Sequence, residues 1–282
     1  MRRNHHRVRF TYGPCDLLRV GIGVTIGLVI VAAAADRAAE IGQGPLPTVA
    51  PSPRPGDGCE ITNGVFIHGS RRSDGVALSF DACPTSHRPG FSPDIVDTLR
   101  RAQAPATFFV SGRWAEAHPD ALRQLAAVPF FEVALHGHRH RSLRGAGREA
   151  IGAESEDGRR ALERLGVAPR SLFRPPFGDR PPELAAAAAR SGVVPVLWDV
   201  VSGDPDPALP PATLARNVLR QARGGSIIVM HANGRGIASA AALPELIVAL
   251  RARGLRLVSV GELVQACGVA VPAAIRQTDS HK

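Results

Sequence analysis

Residues able to do chemistry stand at the ends of short apolar runs. Asp81 ends GVALSFD, His136 ends EVALH, Arg174 ends SLFR, Asp199 ends VPVLWD and His231 ends SIIVMH, while His140 and Asp204 follow closely behind two of these ends. His136 and His140 are spaced i, i+4, which lets two imidazoles reach one cation on a helix or tight turn. Carboxylates and imidazoles are the usual general bases and acids. Together with a cation they would carry out metal-assisted hydrolysis. Each residue also has an ordinary alternative. Asp81 fits a turn or N-cap, Arg174 a structural ion pair, Asp199 and Asp204 a turn-rich loop, and His231 a satisfied core position. The joint arrangement weighs more than any single member.

Such a set acts together only if the strands deliver it to one face. Seven runs read as buried strands: 75–81, 106–110, 132–136, 171–174, 194–199, 226–231 and 255–260. They are short and rich in Val, Leu, Ile and Phe, as strands covered on both faces are. Helical patterns lie between them at 94–101, 119–127, 148–165, 182–191, 211–222 and 243–253. Repeated β-then-α predicts a parallel sheet with helical crossovers, and about seven units fit a distorted (β/α) barrel, closed or nearly so. A doubly wound open sheet is the alternative. In such barrels the active site lies at the C-terminal strand ends, where these residues stand.

The order of the motifs resembles the polysaccharide deacetylase family over about residues 74–266. Ser79-Phe80-Asp81-Ala82-Cys83 corresponds to the family's Thr-Phe-Asp-Asp-Gly, and His136-Gly137-His138-Arg139-His140 to its paired histidines. Arg174-Pro175-Pro176-Phe177-Gly178 matches its Arg-Pro-Pro-Tyr/Phe-Gly, Asp204-Pro205 its Asp-Trp, and Val229-Met230-His231 its Leu-x-His. The resemblance implies removal of N-acetyl groups from an amino-sugar polysaccharide such as peptidoglycan or chitin-like oligomers. It implies Asp81 as general base, His136 and His140 as ligands of a divalent metal, normally zinc, and Arg174 as the partner that keeps Asp81 ionised. It further implies His231 as general acid, tuned by Asp204. The backbone N–H of Phe177 is expected at the oxyanion, and Pro176, Trp198 and Asp199 at the substrate.

This chain departs from the pattern at three positions. Ala82 stands where the family places the aspartate that completes its metal site. Asp81, Thr85, His87 and His138 are the candidates to replace it. Gly137 replaces a hydroxyl residue of the histidine loop, and Pro205 replaces the tryptophan. Two further readings therefore stand beside the deacetylase: a catalytically weakened or inactive glycan-binding descendant, and a glycosidase using Asp81 with Asp199 or Asp204.

Composition narrows the alternatives. The 282 residues are 44% hydrophobic and 21% charged, which excludes wholesale disorder. Lys282 is the only lysine and Tyr12 the only tyrosine, so Schiff-base, P-loop and tyrosine chemistries are excluded from the globular part. The net charge of +9 is diffuse, and aromatics make up only 5%, so no nucleic-acid stacking platform is expected. Arg2, Arg3, Arg7 and Arg9 precede an uncharged run, Val20 to Ala35, in the order of a secretory signal or an uncleaved membrane anchor, predicting an exported protein. The expected organisation is a signal or anchor over 1–40, a Pro-rich linker over 41–58, a catalytic domain over 59–270 and a tail over 271–282. Cys59, Cys83 and Cys267 are available for one disulfide, with the pair left open. The expected partner is a glycan, with the membrane added if the N-terminal segment is retained, and the chain is expected to be a monomer.

Overall fold

Gly75–Ala82 is buried at every residue because it is bonded along both edges and covered on both faces. The computed structural model that shows this describes residues 58–86 and 90–271. The expected N-terminal signal or anchor, nearly all of the linker, His87 and the tail after 271 lie outside the described residues. Among the described residues no helix is long and apolar enough to cross a membrane.

In chain order the strands are β1 (Glu60–Thr62), β2 (Val65–His68), β3 (Gly75–Ala82), β4 (Ala106–Val110) and β5 (Phe131–Leu135), followed by β6 (Arg170–Phe173), β7 (Val194–Pro195), β8 (Val200–Val201), β9 (Ile227–His231) and β10 (Arg256–Val258). The helices are α1 (Pro93–Arg101), α2 (Gly112–Ala117), α3 (Pro119–Ala126) and α4 (Arg148–Arg164), then α5 (Leu184–Arg190), α6 (Pro211–Gln221), α7 (Ile237–Ala252) and α8 (Val260–Ala266). The main sheet runs β7-β6-β5-β4-β3-β9-β8, all parallel, and β10 also pairs with β3. Its two edge strands come from one stretch of chain, 194–201, of which 194–199 is the run expected as a single strand. That run is broken. Its first part bonds to β6, and the chain then crosses to bond β9 as β8. The sheet thus curls into the distorted barrel expected from the β-then-α order. Register places Asp81 directly beside His231 on the neighbouring strand.

Several boundaries differ from the sequence expectation, each for a local reason. Asn63-Gly64, both with positive φ, forms the two-residue turn of an antiparallel β1–β2 hairpin that the run-based reading passed over. Phe66 of that hairpin bridges Val196, and its carbonyl accepts from the Leu197 N–H at 2.8 Å, so the hairpin supports the broken strand. Residues 255–260 do not stay extended. Ser259 and Glu262 form a reciprocal capping box that starts α8 at Val260. Helix α7 begins at Ile237, well before 243, because its Ala-rich first turns favour helix and Pro244 is tolerated on its exposed side. Helix α2, also not expected, starts where the Ser111 hydroxyl accepts from the Trp114 N–H. Cys59, before the hairpin, forms a disulfide with Cys267, after α8, and Cys83 remains a buried free thiol.

Candidate active site

Asp81 is the last inward-facing residue of β3. The residue is 4% exposed, and a bare carboxylate so placed would be costly. Arg174, at the end of β6 and 0% exposed, answers that charge: its Nη1 donates to Asp81 Oδ1 at 2.7 Å. Nη2 donates to Ser79 Oγ at 2.9 Å, and the guanidinium lies 3.8 Å over the Phe109 ring. Burial alone would raise the Asp81 pKa. The Arg174 charge and hydrogen bond, with His136 and His231 adding to them, hold it below the ordinary carboxylate value.

His231 ends β9 next to Asp81. Its Nδ1 meets Asp204 Oδ1 at 2.9 Å, while its backbone N–H donates to Oδ2 of the same carboxylate at 2.6 Å. The Ser239 hydroxyl also donates to Oδ2, at 2.8 Å. Asp204 is therefore fixed at both oxygens and fixes the ring in turn. Burial opposes a charge on His231, but the hydrogen bond and charge of Asp204 outweigh it, with Asp81 contributing, and raise its pKa above that of an ordinary imidazole. An ionised carboxylate and an imidazole biased toward its cation thus stand on adjacent strands, which is how acid and base roles are separated within one site.

His136 follows β5 and is 2% exposed. Its Nδ1 lies 2.8 Å from the Arg174 carbonyl. A carbonyl only accepts, so Nδ1 carries the proton and Nε2 keeps its lone pair; that Nε2 lies 3.6 Å from Asp81 Oδ2. Burial holds His136 neutral, and burial together with the neighbouring His136 pushes His140 down to about 3. Both imidazoles are thus neutral and able to act as ligands. The loop between them is held from outside. The Glu154 carboxylate of α4 accepts from the Arg139 N–H at 2.8 Å and from the Arg141 N–H at 3.4 Å. Gly137 is needed here because its φ is 75° and a Cβ would press on Glu154. Glu154 thus supports the loop from α4, with Gly137 in the place of a hydroxyl residue. Downstream, Asp179 accepts from the Leu143 N–H at 2.9 Å and the Ser142 hydroxyl at 2.6 Å, tying the same loop to the Arg-Pro-Pro-Phe-Gly turn.

His140 and Phe177 both have left-handed backbone, with φ of 56° and 58°, and their rings meet at 4.5 Å. A non-glycine residue so placed costs of order 1–3 kcal/mol, and such strain gathers at functional sites. The Phe177 ring is 60% exposed at the rim of a cavity of about 230 Å³. Asp81, His136, His140, Asp204 and His231 all line this cavity, as does Trp198. Arg174 stands behind Asp81, fully buried. Pro176 is buried in the turn that sets Phe177 and is not among the lining residues. Asp199, expected at the substrate, is not among the residues lining this cavity. Its carboxylate is taken up by Arg71 at 2.9 Å, the Ser226 hydroxyl at 2.9 Å and the Ile227 N–H at 2.7 Å, and it braces the broken strand instead.

Of the candidates to replace the missing aspartate, His138 packs beside Gly112, and neither it nor Thr85 lines the cavity. Ala82 joins the apolar layer with Phe80 and Val110. Cys83, one residue further, does line the cavity, and its Sγ and one nitrogen each of His136 and His140 lie within 4.8 Å of one another. The sequence reading treated Cys83 only as a disulfide candidate. The signal that could have found it is the period of two along β3, which returns Cys83 to the face of Asp81. Arg235 also lines the cavity and was likewise missed.

The polysaccharide deacetylase family model matches residues 68–196. A chitooligosaccharide deacetylase of Sinorhizobium fredii is 32% identical over 160 residues, covering 55% of this chain and 71% of that protein. This chain belongs to the polysaccharide deacetylase family. A peptidoglycan-N-acetylglucosamine deacetylase of Bacillus cereus is 29% identical over 192 residues, covering 67% of this chain and 88% of the relative. Among solved structures, a CE4 family pseudoenzyme from Bacillus anthracis superposes with a TM-score of 0.65 at 22% identity, over 72% of this chain and 70% of that one, a likeness of fold alone. The family match begins at the end of β2 and runs to Val196, so it includes Asp81, both ligand-competent histidines and Arg174.

Proposed function

We propose that this family member is a hydrolase that removes N-acetyl groups from an amino-sugar polysaccharide of the peptidoglycan or chitin-like class, with a divalent cation, zinc, held by His136 and His140. The observation that carries the reading is the pairing of Asp81–Arg174 with His231–Asp204 on neighbouring strands, their pKa values pushed in opposite directions. Two neutral imidazoles whose nitrogens converge with a buried thiol form a donor set that suits zinc. When bound, the cation polarises the amide carbonyl and makes a water acidic near neutral pH.

The chain's own residues do the rest. Asp81, kept ionised by Arg174, takes a proton from the attacking water. His231, kept cationic by Asp204, gives a proton to the departing amine, which cannot leave as an anion. The Phe177 N–H, set by its left-handed backbone, assists the developing oxyanion, and Trp198 forms a wall for the sugar. The resemblance of the curated relatives, which act on peptidoglycan and on chitooligosaccharides, supports the substrate class.

Export is part of this proposal. The charged-then-apolar N-terminus and the Cys59–Cys267 disulfide both suit an oxidising compartment. A glycan substrate in the envelope, a monomeric catalytic domain spanning 59–270 and membrane attachment if the N-terminus is retained complete it.

Ala82 favours a second reading, a glycan-binding descendant that no longer turns over. The glycosidase reading loses support, because Asp199 and Asp204 are both committed to internal partners. The test is acetate release by the full chain from N-acetylglucosamine oligomers and from peptidoglycan, with zinc, with chelator and as Asp81→Asn. Acetate lost with chelator and with Asp81→Asn is the expected result. No acetate, with retained binding to either glycan, establishes the second reading. Shortened chains establish the glycosidase.

A further inference from the structure

The cavity holds a ligand atom that the family pattern does not call for. Cys83 is 2% exposed and lies outside the disulfide that joins the other two described cysteines. Its sulfur faces the same space as the two imidazoles, with all three ligand atoms within 4.8 Å of one another. Around a zinc ion, bonds of about 2.3 Å to sulfur and about 2.0–2.1 Å to nitrogen put neighbouring ligand atoms roughly 3.3–3.6 Å apart. A small inward movement of these side chains therefore closes the site.

The sulfur is also positioned. Asn233, 0% exposed and two residues beyond His231, donates from Nδ2 to the Cys83 carbonyl at 2.9 Å and to its Sγ at 3.1 Å. That amide ties the end of β3 to the loop after β9 and holds the sulfur in place. Such second partners orient the ligand atoms of metal sites. The Arg174 carbonyl likewise fixes the His136 proton on Nδ1 and leaves Nε2 for the site. Ala82, the position that supplies a carboxylate elsewhere in the family, has no ligand atom and points into the apolar layer.

We propose that Cys83 is the third protein ligand of the metal site, so that the cation is held by one thiolate and two imidazoles, with its remaining positions open to water and substrate. The inference rests on the metal-dependent reading above and adds to it. Thiolate replaces carboxylate at equal charge, so the site keeps one negative ligand. Binding breaks only the S–H bond; the proton goes to solvent and no redox change occurs. A buried neutral thiol resists ionisation, and burial with the Asp81 charge pushes Cys83 up to about 12. A coordinating dication overrides this by deprotonating a bound thiol outright. The softer sulfur donor shifts preference toward zinc and away from magnesium, calcium and manganese.

The experiment uses the full chain, stripped of metal and reloaded with one equivalent of zinc or cobalt(II). X-ray absorption of the zinc form is expected to show one sulfur neighbour at about 2.3 Å beside nitrogen and oxygen neighbours. The cobalt form is expected to show a near-ultraviolet thiolate-to-cobalt charge-transfer band. Cys83→Ser should abolish both signals and weaken zinc binding at least about 10-fold. Cys15→Ser, which removes a thiol far away in sequence, should leave both signals intact. One equivalent of zinc bound with nitrogen and oxygen neighbours only, or a cobalt band that survives Cys83→Ser, overturns the role of Cys83 while the metal-dependent reading stands. No zinc bound by the unaltered chain overturns both. The absorption measurement needs no variant, so misfolding of Cys83→Ser would not obscure the answer.

Discussion

Arg174 donates to Asp81 at 2.7 Å from a position with no exposure, with Phe109 beneath its guanidinium and Ser79 at its far side. Neither charge is tolerable there without the other. Removing one partner of a buried pair costs about 3–5 kcal/mol, whereas replacing both costs far less. Arg174→Met is therefore expected to destabilise the fold by roughly that amount, and Asp81→Asn combined with Arg174→Met to recover part of it. Denaturant unfolding of the two single variants and the double measures the coupling. Additive losses would sink the claim that the pair is a stability unit.

Activity should follow the two shifted groups. Asp81 must be ionised, and against its burial the Arg174 charge, with His136 and His231, holds its pKa below that of an ordinary carboxylate, so the acid limb of kcat/KM lies lower than a free carboxylate would place it. His231 must be protonated, and against its burial Asp204 raises its pKa above that of an ordinary imidazole, so activity falls only as pH rises through that raised value. Asp204→Asn removes the partner that raises His231, and the basic limb should move toward lower pH. A pH–rate profile of acetate release checks this. An unmoved basic limb would separate Asp204 from the proton donor.

Glu154 supports the histidine loop through the backbone N–H groups of Arg139 and Arg141. Glu154→Ala frees the Arg139 and Arg141 N–H groups and should let His140 leave its strained backbone. The expected result is a fall of about 10–100-fold in zinc affinity. Far-ultraviolet circular dichroism should be nearly unchanged, since α4 keeps its other contacts. Titration of the stripped protein with zinc reads this directly.

The Cys59–Cys267 bond closes a loop of 208 residues between the two ends of the described domain. Reduction should cost about 2–5 kcal/mol, a fall in Tm of roughly 5–15 °C for a domain of this size. Scanning calorimetry with and without reductant gives the number. Cys83 is not part of that bond, so its alkylation after unfolding should yield one labelled site in the oxidised domain.

Much of this protein could be read from its residues. Short Val, Leu, Ile and Phe runs separated by helical patterns fixed a parallel β/α order, because a strand covered on both faces has no room for polar alternation. The polarity of that order then placed Asp81, His136, Arg174 and His231 at one end. Tertiary structure alone decided the rest. It ended the strand of the run 194–199 at Pro195 and began a second ladder at Val200, because one stretch of chain supplies both edges of a curled sheet. It gave Asp199 to Arg71, Ser226 and the Ile227 N–H, which are distant in sequence. It paired Cys59 with Cys267, and so left Cys83 beside His136 and His140. Spacing along a chain reports which face a residue takes; which distant side chains meet it there depends on how the sheet curls.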